Sequence, residues 1–189
     1  MVSINVDLSA LERWADDFRE VADEIPAAVS RAINRAGDMA VTQVGRTLAE
    51  ETGLGVRDVR SGISTERATA AEPVYEITVH SRQTTLGEFD PRPTRQGVSA
   101  RPWAVRRVFP HTFGIRDEVF RRVGPERYPI TPLFGPNVAQ VAHEGATTDV
   151  IRETVAEVFP QRLRHEMERV VGRKLPYGLG DDEGDEAAE

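Results

Sequence analysis

The chain has 189 residues, no cysteine and a formal net charge of −7. Without cysteine there is no disulfide, no thiolate metal site and no cysteine nucleophile. No apolar run approaches the roughly 18 residues that a membrane helix needs.

A chain of this length folds without staples, burying roughly 70% of its extended surface. One domain over residues 1–177 is expected, followed by a disordered acidic tail at 178–189. The first residues, MVSINVDLSALERW, carry none of the marks of a signal peptide, which predicts a protein made and used outside the secretion pathway. The charge is unevenly placed. Residues 1–25 hold seven acids and two arginines, residues 92–127 nine arginines and three acids, and the last nine residues six acids. Lys174 is the one lysine, so the basic middle is built from arginine, whose planar fork suits carboxylates, phosphates and aromatic faces.

In chain order, Ile4–Asp7 reads as a short strand. Ser9 and Glu12 form a capping box, and Leu8, Leu11, Ala15, Phe18, Ala22 and Ile25 make one apolar helical face. Pro26 breaks or restarts that helix. A second helix runs to about Glu50 on Val29, Ala32, Ile33, Ala36, Met39, Ala40, Val44 and Leu48, and Thr52-Gly53 ends it. Gly37 costs about 1 kcal/mol against alanine in a helix, which predicts close packing there. A short helical turn follows within 54–63.

Tyr75, Ile77 and Val79 then alternate with polar residues, a strand with one buried face. Residues 81–102 hold three prolines, two glycines and four arginines. A segment of that length and composition predicts an extended loop or hairpin arm, ordered only against a partner and removable without unfolding the rest. Residues 103–109 and 118–123 read as two strands pairing in one antiparallel ribbon. Pro125–Pro136 is an extended segment, with Tyr128 pushed to extended geometry by Pro129. A short helix NVAQVAHEG follows. A long helix then runs from Thr148-Asp149 to about Arg173, kinked or broken at Pro160 and ended by Gly172. The fold class is therefore α+β, with two N-terminal helices and a C-terminal helix on a small antiparallel sheet.

No chemistry-bearing motif emerges. His80, His111, His143 and His165 are dispersed, and no nucleophile elbow or P-loop is present. The acids of the tail lack EF-hand spacing. No catalytic residue, metal site or cofactor is assigned, and the chain is expected not to be an enzyme. The arginine-rich middle admits two readings. One is phosphate contact by Arg92, Arg95, Arg101, Arg106, Arg107, Arg116, Arg121 and Arg122, interleaved with Trp103, Phe109, Phe113 and Phe120. The other is a protein interface, in which these arginines meet the acidic N-terminal helix or tail of a neighbouring copy. The acidic net charge favours the second.

The order of AAVSRAINRAGDMAVTQVGRTLAEETGL, RQGVSARP, WAVRRVFPHTF and VFRRVGPERYPITPLFGPNVAQ resembles the phage minor tail protein Z family, over roughly residues 25–170. The last stretch is the most specific part. The resemblance implies a structural virion protein in the tail or neck, assembled in the host cytoplasm, that completes the tail at the head–tail junction. It implies a homo-oligomeric ring, commonly of six copies, through which genomic DNA passes. Its partners would be the tail terminator, the tail tube and the head–tail connector, with no membrane. On that reading Arg92, Arg95, Arg101, Trp103, Phe120, Tyr128 and Phe134 are interface residues, and Arg106, Arg107, Arg121 and Arg122 face the channel. A free nucleic-acid-binding protein using the same arginines is the alternative.

Overall fold

The computed structural model describes residues 9–174, with side chains from 19 to 173. The expected strand at 4–7 and the acidic tail lie outside the described residues, and the Leu8–Phe18 part of the first apolar face lies outside the described side chains. The elements in chain order are helix α1 (Ser9–Thr52), helix α2 (Val56–Ser61), strands β1 (Ile63–Glu66) and β2 (Glu76–Val79), and a 3-10 turn at Leu86–Glu88. Strands β3 (Arg92–Thr94) and β4 (Gly97–Ala100) precede a second 3-10 turn at Pro102–Ala104. Strands β5 (Arg107–Pro110), β6 (Thr112–Ile115), β7 (Glu118–Arg122) and β8 (Ile130–Pro132) follow, then helices α3 (Val138–Glu144) and α4 (Thr147–Lys174). The fold is mixed α and β, with three small antiparallel sheets, β1-β2, β3-β4-β5 and β6-β7-β8, in place of a single one.

The chain divides into two compact units: Met1–Ala36, Arg67–Tyr75 and Glu157–Glu189 form the first, and Gly37–Glu66 and Glu76–Ala156 the second. In the first, Val21, Ala28 and Val170 are buried together, with Met167 and Val171 packed against them. Glu24 pairs with Arg173 and Arg31 with Glu166, so the two helical segments run antiparallel. Asn34 clasps the connecting segment twice. Its amide donates to the Ala68 carbonyl at 2.9 Å, and its side-chain oxygen accepts from the Ala68 N–H at 2.9 Å.

The two N-terminal helices expected on either side of Pro26 are one helix of 44 residues. Buried Val21, Ala28, Ala32 and Ala36 keep a single helical phase through the proline. Packing on that stripe offsets the roughly 3 kcal/mol that an interior proline costs. Over residues 19–25 the buried side chain is therefore Val21, while Ala22 and Ile25 are exposed. Pro160, exposed, likewise lies inside an unbroken α4, which continues past Gly172 to Lys174.

In the second unit Val44 and Leu48 of α1, Val59 of α2, Leu86, Phe89, Val98 and Val119 make one core, with Val138 closing it from α3. Gly53 ends α1 at φ +81°, and a Cβ there would lie 2.4 Å from the Arg101 carbonyl oxygen and 2.5 Å from the Ala104 nitrogen. The glycine therefore both supplies a left-handed cap and lets the 101–104 backbone close on the helix end.

Residues 81–102 are not an arm. Leu86, Phe89 and Ala100 are at most 1% exposed, and Val98 is 4% exposed. Glu88 closes a capping box with Thr85 at the first 3-10 turn, and the Arg101 N–H donates to the Phe89 carbonyl at 2.8 Å. Isolated apolar residues in a polar, proline-rich stretch are thus the core anchors, and removing the segment would empty the core. The expected ribbon of 103–109 with 118–123 is also absent. β5 pairs with β4, and β7 pairs with β6 and β8. The stretch between the two expected strands, read as a connection, contains β6.

Candidate interaction surface

The surface is built by strand alternation in β6-β7-β8. On β7, Val119 points inward and is 1% exposed, so Phe120 and Arg122 take the opposite faces of the pleat from Val119 and Arg121 in turn. Register sets Phe120 opposite Phe113 on β6 and Pro132 on β8, and Arg122 opposite Ile130. The two phenylalanine rings stack with centroids 6.4 Å apart and planes at 27°. The Arg122 guanidinium lies over Phe113, 5.5 Å from its centroid. Phe113, Phe120, Ile130 and Pro132 are half-buried, and Ile115 is exposed. This outer face is apolar and aromatic where a solvated sheet face is ordinarily polar.

The turn between β6 and β7 is Arg116-Asp117, with φ of +47° and +64°. Positive φ at both central residues is the geometry of the two-residue turns whose twist suits a hairpin. It holds Arg116 at one end of the sheet, while Arg121, Arg122 and Arg127 stand at the other. Arg127 lies over Tyr128 at 5.8 Å.

A second cluster centres on Asp90, at φ +50°. Arg92 binds its carboxylate at 3.1 Å and Arg106 binds the same oxygen. Arg106 also donates to Ser99 Oγ at 3.0 Å. The hydrogen bond from Arg92 holds the Asp90 carboxyl below its ordinary range, and the charge of Arg106 adds to it. In the first unit, partial burial pushes the Glu166 carboxyl up, but hydrogen bonds from Arg31 and Arg169 outweigh it and the net direction is down.

The residues singled out from sequence are therefore split. Phe120, Arg122 and Arg121 share β7. Arg107 is exposed on β5, Arg95 is exposed in the β3–β4 turn, and Arg101 precedes the second 3-10 turn. Trp103, at φ +54°, is 52% exposed, Tyr128 66% and Phe134 45%. Arg92 and Arg106 are drawn together on Asp90, so they are structural ligands of a turn as well as surface cations. Sequence reasoning passed over Asp90, which lies in the very stretch read as an arm, and over Ile130. The Phe-Asp-Pro-Arg-Pro run around Asp90 was the available signal, since aspartate before proline favours a turn.

A groove of about 600 Å³ lies beside the end of α1, lined by Arg46, Glu50, Gly53, Val56, Asp90 and Arg101 among others. It carries both signs of charge and no convergent polar set. Among the described residues no group of three or more histidines or acids is placed to hold a metal ion, and no helix is long and apolar enough to cross a membrane.

Residues 11–109 match the family model of prophage minor tail protein Z. No curated protein and no solved structure matches the chain. The matched stretch starts earlier than the resemblance read from sequence and ends at Phe109, so the segment at 119–140, taken there as the most specific part, lies beyond it. It covers α1 to β5, more than half of the chain, and the chain belongs to the prophage minor tail protein Z family, a family of structural components of the phage tail.

Proposed function

We propose that the chain completes the phage tail at the head–tail junction, as a homo-oligomeric ring of six copies through which the genome passes. It acts by contact, not catalysis, and its neighbours are the tail terminator, the tail tube and the head–tail connector. Family membership over residues 11–109 carries this reading. The exposed aromatic and arginine side chains of the second unit support it, because subunit contacts are enriched in both. Electron microscopy of particles produced without this chain tests it. Unjoined heads and tails are expected, together with a labelled chain located at the junction of complete particles. Joined infectious particles, or label at the far end of the tail, would overturn it.

Direct contact with nucleic acid is the second reading, favoured by Arg107, Arg121 and Arg122. All three are exposed and without a carboxylate partner among the described residues. Arg106 leaves that set, since Asp90 holds it. Binding of purified protein to duplex DNA, falling steeply with salt, is the expected sign. Binding that is absent at low salt would remove this reading.

A further inference from the structure

The outer face of β6-β7-β8 is one-sided in a way that specifies an occupant. Its inner side is closed by Val119 and Thr112, which are 1% and 8% exposed. Its outer side presents the stacked Phe113 and Phe120, flanked by Ile130 and by exposed Ile115. Charge is polarised along it. Asp117 and Glu118 stand with Arg116 at the turn, whereas Arg122 and Arg127 stand at the far end with Glu126, and exposed Arg121 stands beside them on the opposite face of β7. Among the described residues none of these four arginines has a carboxylate partner. Arg122 and Arg127 lie over rings instead.

The same chain carries a segment of matching order. Residues 175–179 are Leu-Pro-Tyr-Gly-Leu, and residues 181–189 contain six acids and no base. Five extended residues span about 16 Å, the length of a five-residue strand such as β7. Apolar side chains come first and acids second, the same order as the rings and then the arginines along β7.

We propose that the outer face of β6-β7-β8 is the docking site for residues 175–189 of a second copy of the chain, laid parallel to β7. Leu175, Tyr177 and Leu179 cover Phe113 and Phe120, and the acids meet Arg122 and Arg127. Each copy then offers one face and one segment, a heterologous contact that propagates from copy to copy and closes where the rotation allows. The proposal rests on the ring reading above and supplies its contact.

The test uses two full-length forms, co-expressed. One carries Tyr177→p-benzoylphenylalanine and the other an affinity tag. Irradiation is expected to join photoreactive to tagged copies, with the link landing in residues 112–132, and to lose that product on Arg122→Glu and Arg127→Glu together. Because these side chains are exposed, circular dichroism should be unchanged in the double variant. Links within single copies only, links elsewhere, or none would overturn the proposal. A labelled synthetic peptide of residues 175–189 gives a second reading. It should bind the full chain whose six tail acids are changed to amides, and bind the double variant of that chain about tenfold more weakly. Equal binding to both would overturn the docking site, as would displacement of nothing by peptide when DNA occupies the arginines. Mass photometry separates the two claims. Ring-sized particles without the cross-link sink the docking and leave the ring. Peptide binding by a chain that stays monomeric sinks the ring and leaves the face.

Discussion

In the first unit Arg31 and Arg169 both donate to Glu166, at 2.6 and 2.9 Å, and Arg173 meets Glu24. On the outer sheet of the second unit Arg121, Arg122 and Arg127 meet no carboxylate among the described residues. The first arrangement is a seam: Val21 and Ala28 pack with Val170, and arginine–carboxylate pairs fix the register of the two helical segments. The second is a surface: the core beneath is complete without the arginines, so their charge is left for something else. The same residue type is structural in one place and available in the other, and what decides is whether a carboxylate lies within reach on the facing element.

That contrast requires the core of the second unit to stand on its apolar contacts alone. Phe89, 1% exposed, is its largest fully buried side chain, and a Cβ on Gly135 would come within 2.1 Å of its ring. Phe89→Ala should destabilise by about 3–5 kcal/mol, the usual cost of emptying a buried ring's place. Urea unfolding would measure it. A loss under about 1 kcal/mol would mean that residues 81–102 are not part of the core, and would return them to the status of an arm.

Gly53→Ala should come next. The substitution forces a left-handed φ on alanine and drives its Cβ against backbone atoms of Arg101 and Ala104. A cost of about 2–4 kcal/mol is expected, summing the left-handed penalty and overpacking against a backbone that cannot rotate away. Far-ultraviolet dichroism should show helix retained at low temperature and the midpoint lowered. A neutral result would show that the 101–104 turn is not seated on the end of α1.

These two sites show what a sequence discloses. The C-terminal half of α1, α3 and α4 were legible because their apolar residues recur at helical spacing; Val150, Ile151, Val158, Leu163 and Val170 are all at least half-buried as that spacing requires. β2 was legible from alternation. Continuity through Pro26 was not, because the energy that holds it comes from partners distant in sequence. Leu86 and Phe89 gave no periodic signal, and their burial is set by β4, β7 and α1. The β6–β7 turn was hidden because Arg116-Asp117 fills positions where Asn-Gly is the usual sign. With that turn unread, β6 was taken for a connection and β5 and β7 for partners. The candidate surface was half legible. Its residues were named, but their grouping depends on register, which alternation alone does not choose.

The seam of the first unit should respond to acid. Glu166 has a folded-state pKa below its ordinary value of 4.5. Its contribution is therefore fully present above that unfolded value and is lost as pH falls through the lower, folded one. Glu166→Gln should cost about 1 kcal/mol at neutral pH, with its arginines half in solvent and the pair discounted accordingly. The cost should shrink as pH falls below 4.5 and through the lower folded value, where the wild-type carboxyl is protonated as well. Unfolding midpoints at pH 7 and at pH 3 check both halves. An equal loss at the two pH values would mean that Glu166 acts by packing and not by charge, and the seam would then differ from the sheet surface in degree only.

The smallest effect should be the most informative. Arg107→Glu with Arg121→Glu reverses two exposed charges that touch no carboxylate among the described residues. If these two exposed arginines are free, stability should change by less than about 0.5 kcal/mol, as for surface positions without partners. Arg31→Glu in the first unit, by contrast, places a like charge beside Glu166 and should cost clearly more than the double change does. A larger loss in the sheet variant than in the seam variant would reverse the contrast between the units. It would show that these exposed arginines hold their own chain together.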